Sequence, residues 1–285
     1  MKHLGLIGYP VAHSLSPGMH RAAFDALGIE AHYVLWETQP GGLAKRIASL
    51  RFAGILGANV TIPYKEHVVS MVDECDALAA HIGAVNTIVN RGGRLVGYNT
   101  DAPGFTRALA EFAAFDCPAK KAVILGTGGA ARAAAVGLLE NGVGEVILLG
   151  RNEKHLQNVL NHLRTLTAKL HGITRVYGAL LESPESSRFL TTADLLVNAT
   201  PVGLKADDTT LLLDVNMLPA TALVMDMIFN PPLTPLLRAA RAHGCRVLNG
   251  LSMLLYQGAL AFELWTDRPA PIEVMREALG LAKEG

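Results

Sequence analysis

Short apolar runs alternate with helix-period segments along almost the whole chain, which predicts an α/β fold rich in parallel strands. Gly126-Thr127-Gly128-Gly129-Ala130-Ala131 fits G-x-G-x-x-A between a strand-like run and a helix-like one, which predicts a Rossmann-type unit. At 285 residues the chain suits one large domain or two ordinary ones, and the turn chemistry of Asp101-Ala102-Pro103-Gly104 sets a boundary near residue 102.

In chain order, residues 4–8 read as a strand, and Ser16-Pro17 opens a helix to about Leu27. Serine at the cap with proline behind it is a favoured start. Residues 32–36 read as a strand, 41–50 as a helix, 55–60 as a strand and 64–72 as a helix. Residues 85–89 and 95–98 form a hairpin around Arg91-Gly92-Gly93. A helix runs on to about Ala114, a strand covers 122–125, and after the glycine turn come a helix over 130–140 and a strand over 145–149. The stretch 154–190 shows a helix only in its first half. Strands follow at 195–198, 223–227 and 246–248, with a helix at 234–243 between the last two. Two apolar helices, 253–265 and 272–281, close the sequence.

Composition narrows the function. Lys and Arg number 25, as do Asp and Glu, and half the residues are hydrophobic, so disorder is excluded. Zero formal charge argues against a nucleic-acid binder that neutralises many phosphates. Cys75, Cys117 and Cys245 are odd in number and far apart, which suits a reducing cytoplasm rather than a disulfide or zinc framework. The longest uncharged run, 247–262, is short and carries Asn249, Ser252 and Gln257, so no membrane span is expected. The N-terminal apolar run is broken by Gly5, Gly8 and Pro10, unlike a signal peptide.

In the glycine motif, Gly126 makes the tight turn, Gly128 lets a pyrophosphate approach the backbone, and the small Ala131 allows close packing of helix on strand, with Gly129 and Ala130 in the same cofactor loop. The helix start supplies N–H groups and partial positive charge for phosphates. About 20–25 residues on, an acid would mark NAD and an arginine NADP. The chain has Gly150-Arg151-Asn152, and Arg151 favours NADP.

Before residue 102, polar residues gather at strand ends: Ser14 and Ser16; Asn59, Thr61 and Lys65; Asn86 and Thr87; Asn99 and Asp101. Singly these read as helix caps (Ser16, Asp101), a turn or a surface lysine. Jointly they predict one cleft at the sheet edge. Lys65 and Asp101 are the expected catalytic pair, tuning proton transfer to a hydroxyl or carbonyl beside a nicotinamide.

These motifs together resemble the shikimate dehydrogenase family, including its quinate/shikimate branch. The resemblance rests on Ile7-Gly8-Tyr9-Pro10, His13-Ser14-Leu15-Ser16-Pro17, Asn59-Val60-Thr61-Ile62-Pro63-Tyr64-Lys65, Gly83-Ala84-Val85-Asn86-Thr87 and Gly97-Tyr98-Asn99-Thr100-Asp101. Asn198-Ala199-Thr200-Pro201-Val202-Gly203 and Gln257-Gly258 with Phe262 and Trp265 extend it along nearly the whole chain. It implies reversible, NADP-dependent reduction of 3-dehydroshikimate to shikimate in aromatic amino acid biosynthesis. It also implies two α/β domains flanking a cleft, a substrate domain of 1–102 with 249–285 and a dinucleotide domain of 103–248. By position, Ser14 and Ser16 would hold the substrate carboxylate, while Thr61, Asn86, Asp101 and Gln257 would hold ring hydroxyls. Lys65 and Asp101 would manage the proton. Residues 126–131, Arg151 and Asn152 would take the cofactor, with Asn198, Thr200 and Met253 bordering it.

The chain departs from the family in two places. Phe229 stands where a tyrosine is usual, and Gly150 and Asn152 flank Arg151 where asparagine and threonine are common, which leaves NAD use open. His13 is expected to orient the serine loop. His3, His20, His67, His81, His155, His162, His171 and His243 show no metal-ligand spacing, so no metal is expected. A quinate/shikimate dehydrogenase is the near alternative and a non-catalytic dinucleotide-responsive protein the remote one, as monomer or homodimer.

Overall fold

A computed structural model describes residues 1–169, 173–205 and 207–281; His171 lies outside them. The chain forms two compact units, Met1–Gly104 with Leu254–Gly285, and Phe105–Met253.

The first unit begins β1 (Lys2–Gly8), α1 (Ser16–Ala26), β2 (Ala31–Glu37), α2 (Leu43–Ser49) and β3 (Ile55–Val60). It continues through β4 (Glu74–Cys75), α3 (Ala77–Ile82), β5 (Thr87–Arg91) and β6 (Arg94–Tyr98) to the start of α4 (Asp101–Ala113). Its sheet order is β2-β1-β3-β5-β6-β4. The sheet is mixed, because β1 is parallel to β2 and β3 whereas β5 is antiparallel to β3 and β6. The expected hairpin accounts for this: Gly92 and Gly93 take φ of 65° and 96°, which two-residue hairpin turns require. Ile7, Ile47, Val60, Val68, Ile88 and Leu95 pack as a buried cluster on this sheet, each worth roughly 1.5–3 kcal/mol of apolar burial.

The second unit holds β7 (Lys121–Leu125), α5 (Gly129–Glu140), β8 (Glu145–Gly150), α6 (Glu153–Lys169), β9 (Arg175–Leu180) and α7 (Pro184–Leu190). After these come β10 (Leu195–Asn198), β11 (Leu223–Asp226), α8 (Pro235–Ala242) and β12 (Arg246–Leu248). All its strand pairs are parallel, in the order β12-β11-β10-β7-β8-β9. That is the doubly wound dinucleotide-binding order, and it reverses between β7 and β10. Val123, Leu125, Ile147, Leu196, Val224 and Leu237 form its buried core. Helices α9 (Leu251–Thr266) and α10 (Ile272–Ala278) close the chain, and from Leu254 on the chain belongs to the first unit.

The helix expected over 64–72 is absent; only a 3-10 turn, His67–Ser70, forms there. The Lys65 carbonyl accepts from Val85 N at 2.8 Å instead of serving a helical ladder, and Tyr64 Oη donates to Thr38 O at 2.6 Å. Strand β4, helix α3, strand β9 and helix α7 had no expectation. The serine of Ser16-Pro17 is the first helical residue rather than its cap: Leu15 occupies the cap with helical backbone angles and no side-chain bond.

Candidate active site

Parallel β1 and β3 bring Gly8 and Val60 to one edge of the mixed sheet. Strand β6 delivers Tyr98 to the same edge. Strand β5 starts there, with Thr87 opposite Asn59. Asn86 therefore reaches the site from the amino end of an antiparallel strand, whereas Thr61, Lys65 and Asp101 reach it from carboxyl ends.

Lys65 Nζ donates to Asp101 Oδ2 at 2.6 Å, with side-chain exposures of 16% and 5%. Asp101 is available for this bond because Asn99 caps α4: Asn99 Oδ1 accepts from Asp101 N at 3.0 Å and Ala102 N at 3.2 Å. The helix-cap reading of Asp101 is thereby corrected. Asp101 Oδ1 accepts from Asn86 Nδ2 at 2.9 Å. Asn86 Oδ1 accepts from Thr100 N at 2.7 Å, which fixes which way the amide faces. Asn86 Nδ2 also lies 3.4 Å from Gln257 Oε1, across 171 residues of sequence.

Two glycines make that long return possible. A Cβ on Gly104 would sit 2.7 Å from Gln257 N, so glycine lets α9 lie against the start of α4. A Cβ on Gly57 would run into Ile88 O, the acceptor of the Trp265 Nε1–H bond at 3.0 Å. Thr61 is half-buried, with its N–H on Ile7 O at 2.8 Å. Ser14 Oγ accepts from Ser16 N at 3.3 Å. Ser16 is buried.

In the second unit the glycine-rich turn leaves β7 with Gly126 at φ 115°, and its N–H donates to Leu149 O at 2.9 Å. A Cβ at Gly126 would lie 3.3 Å from both Ala199 O and Thr200 Cγ2, so this turn and the loop after β10 adjoin where the strand order reverses. Helix α5 starts at Gly129 with no side-chain cap, leaving the cap's place to an anion. The Cβ-free turn and the uncapped helix start fit a dinucleotide pyrophosphate. Gly150 meets the same turn: its Cβ would be 3.0 Å from Thr127 Cγ2, which gives the glycine at this position a packing reason. Arg151 and Asn152 are exposed, and Asn152 Oδ1 accepts from His155 N at 3.0 Å as α6 begins. Met253 is buried.

Three residues near these clusters escaped the sequence reading. Asp226 is fully buried and accepts from Asn198 Nδ2 (3.1 Å), Ile228 N (3.0 Å) and Thr234 Oγ1 (2.7 Å). Burial pushes its carboxyl above the usual range, against these donors. It ties the 198–203 loop to the 226–234 segment, and its signal was an acid ending the apolar strand Leu-Val-Met-Asp. Tyr33 gave no signal, since it matches ordinary strand usage, and Thr100 entered only as part of the Gly97–Asp101 motif with no role of its own. Among the described residues no group of His, Cys, Asp and Glu could hold a metal ion, and no described helix is long and apolar enough to cross a membrane.

A parallel nucleotide-type sheet with an open glycine turn, in a chain that also carries a Lys–Asp pair in a polar pocket, defines a nicotinamide-dependent oxidoreductase of two-domain type. Residues 6–88 match the shikimate dehydrogenase substrate binding domain, and 250–279 match the shikimate 5'-dehydrogenase C-terminal domain. Shikimate dehydrogenase (NADP(+)) of Symbiobacterium thermophilum is 45% identical over 99% of this chain and 95% of its own length. Shikimate 5-dehydrogenase of Thermus thermophilus, solved with NADP(H) and shikimate, superposes with a TM-score of 0.85 at 38% identity, covering 98% of this chain and 99% of that one. Quinate dehydrogenase of Corynebacterium glutamicum, solved with NAD, gives 0.86 at 30%, covering 99% of each chain. The chain belongs to the shikimate dehydrogenase family.

Proposed function

We propose that the chain catalyses the reversible, NADP-dependent reduction of 3-dehydroshikimate to shikimate. The observation that carries the chemistry is the Lys65–Asp101 pair at 2.6 Å, desolvated on the aspartate side and braced by Asn86. Reduction adds a hydride to the ketone carbon and a proton to its oxygen. The nicotinamide, when bound, supplies the hydride. The Lys65 ammonium donates the proton to the carbonyl oxygen, and the Asp101 carboxylate holds lysine and substrate hydroxyl in line for it; oxidation of shikimate runs the same path backwards.

Ser14 and Ser16 hold the substrate carboxylate, and Thr61, Asn86 and Gln257 the ring hydroxyls. Residues 126–131 cradle the pyrophosphate, Arg151 and Asn152 the adenosine 2′-phosphate, and Asn198, Thr200 and Met253 border the nicotinamide end. The first unit thus takes the substrate and the second the cofactor. The reaction belongs in the cytoplasm, which suits three cysteines that are all free thiols. A monomer and a homodimer serve this reading equally, and a sizing run separates them.

Initial rates by nicotinamide absorbance, with shikimate and quinate each against NADP and NAD, test the reading. Turnover led by shikimate with NADP is expected. Comparable quinate or NAD rates would move the chain to the quinate/shikimate branch, and silence with all four pairs while cofactor still binds would overturn dehydrogenase function.

A further inference from the structure

We propose that Tyr33 is a positioning residue for the Lys65–Asp101 pair, acting through a line of buried hydrogen bonds that runs from Tyr33 to Asp101. The proposal rests on the reading of that pair as the proton-handling group.

The line can be followed atom by atom. Tyr33 Oη donates to Asn59 Oδ1 at 2.7 Å. With its oxygen so occupied, the Asn59 amide faces Nδ2 the other way, donating to Thr87 Oγ1 at 3.0 Å and towards Asn86 O at 3.3 Å. Thr87 Oγ1 then accepts from Asn59 and has one hydrogen to give. It lies 3.2 Å from both Asn86 Oδ1 and Thr100 Oγ1. Asn86 Nδ2 completes the line at Thr100 Oγ1 and Asp101 Oδ1, both 2.9 Å away.

Tyr33, Asn59, Thr87, Thr100, Asn86 and Asp101 are all buried, with exposures from 0% to 5%. Away from water, each donor has few partners to choose from, so the orientation of one amide constrains the next. At Asn59 the polarity of the line is set by the Tyr33 phenol on one side and the Asn86 carbonyl on the other, and at Asn86 by Thr100 N–H. Removing the phenol oxygen leaves the buried Asn59 Oδ1 without its donor, so Asn59 shifts against Thr87 and the Asn86 carbonyl and the aim of Asn86 Nδ2 at Asp101 loosens.

The phenol can be removed without disturbing the ring. Tyr33 stacks on His20 at 4.5 Å between centroids and packs against Trp265 at 6.0 Å. Neither ring nitrogen of His20 has a hydrogen-bond partner among the described residues, so its contact with Tyr33 is apolar and a phenylalanine keeps it.

The test compares wild type, Tyr33→Phe, Thr87→Val and Lys65→Met by steady-state kinetics with shikimate and NADP in H2O and D2O, alongside melting temperature. Tyr33→Phe and Thr87→Val are each expected to lower kcat about tenfold, the weight of one buried hydrogen bond. Shikimate KM should stay within about twofold and the solvent isotope effect on kcat should grow, because misaligned proton transfer limits the rate more. If Tyr33→Phe fails to fold, Thr87→Val carries the test. Wild-type kcat and isotope effect in both variants, or a fall in melting temperature alone, would overturn the proposal. Full activity in Lys65→Met would instead overturn the reading on which it rests.

Discussion

The edge of the mixed sheet presents side chains, Lys65, Asp101, Asn86, Thr61 and Gln257, four of them joined by hydrogen bonds in the order Lys65, Asp101, Asn86, Gln257. The edge of the parallel sheet presents backbone instead, a turn at positive φ and a helix start with no side-chain cap. The contrast suits the proposed ligands. A pyrophosphate is a compact anion that N–H groups and a helix dipole can hold without side chains. A ring with several hydroxyls and a carboxylate needs donors and acceptors at fixed, separate points, and reaction there needs a titratable pair. The side-chain site should therefore fail by loss of chemistry, and the backbone site by loss of shape.

Lys65→Met breaks the first region most directly. It removes the proton donor but keeps the stem volume, and leaves Asp101 without its cation. Expected is a fall in kcat of about 10²–10⁴-fold, with shikimate and NADP still bound, as read by calorimetry and single-turnover rates. A drop of less than about tenfold would show that the pair does not handle the proton.

The same contrast explains what could be read from sequence. The glycine turn, its flanking strand and helix, and the order of the second unit are local or evenly spaced features, and strands 145–149 and 195–198 came within a residue or two of β8 and β10. The Lys65–Asp101 pair was legible only because several polar pairs fell at strand ends together. The bonds that hold it join residues 14, 15 and 171 positions apart, which no local pattern reports. The short helix expected over 64–72 failed for the same reason, since a carbonyl needed for its ladder is taken by Val85. Strand β9 and helix α7 lie in a stretch whose period is weak; β9 is ordered by packing against β8 and α6, and α7 by packing against β9.

Gly126→Ala sharpens the comparison from the other side. Alanine at φ 115° is strained, by more than about 1 kcal/mol. Its methyl would also press on Ala199 O and Thr200 Cγ2 at 3.3 Å, so the turn or the 198–203 loop must move. NADP KM should rise about tenfold, while shikimate KM stays within about twofold. Equal losses for both ligands would mean that the turn does not serve the cofactor alone.

The smallest effect on catalysis belongs to a residue that touches neither ligand set. His20 is fully buried among Phe24, Tyr33 and Trp265, and burial pulls its pKa from 6.5 down to about 3. The unfolded chain takes up a proton at this imidazole below about pH 6.5 and the folded chain does not until about pH 3. The unfolded state therefore binds more protons throughout that window. Well below pH 6.5, stability should fall by about 1.4 kcal/mol for each further unit of acidification on account of His20. His20→Gln cannot titrate. Its urea-unfolding free energy should fall less steeply than the wild type's by that amount between pH 6 and pH 4, whatever its absolute stability, and kcat at neutral pH should hold within about twofold. Parallel slopes in the two proteins would mean that the folded state accommodates a charged His20, and that the aromatic packing behind Tyr33 is looser than its stacking distances imply.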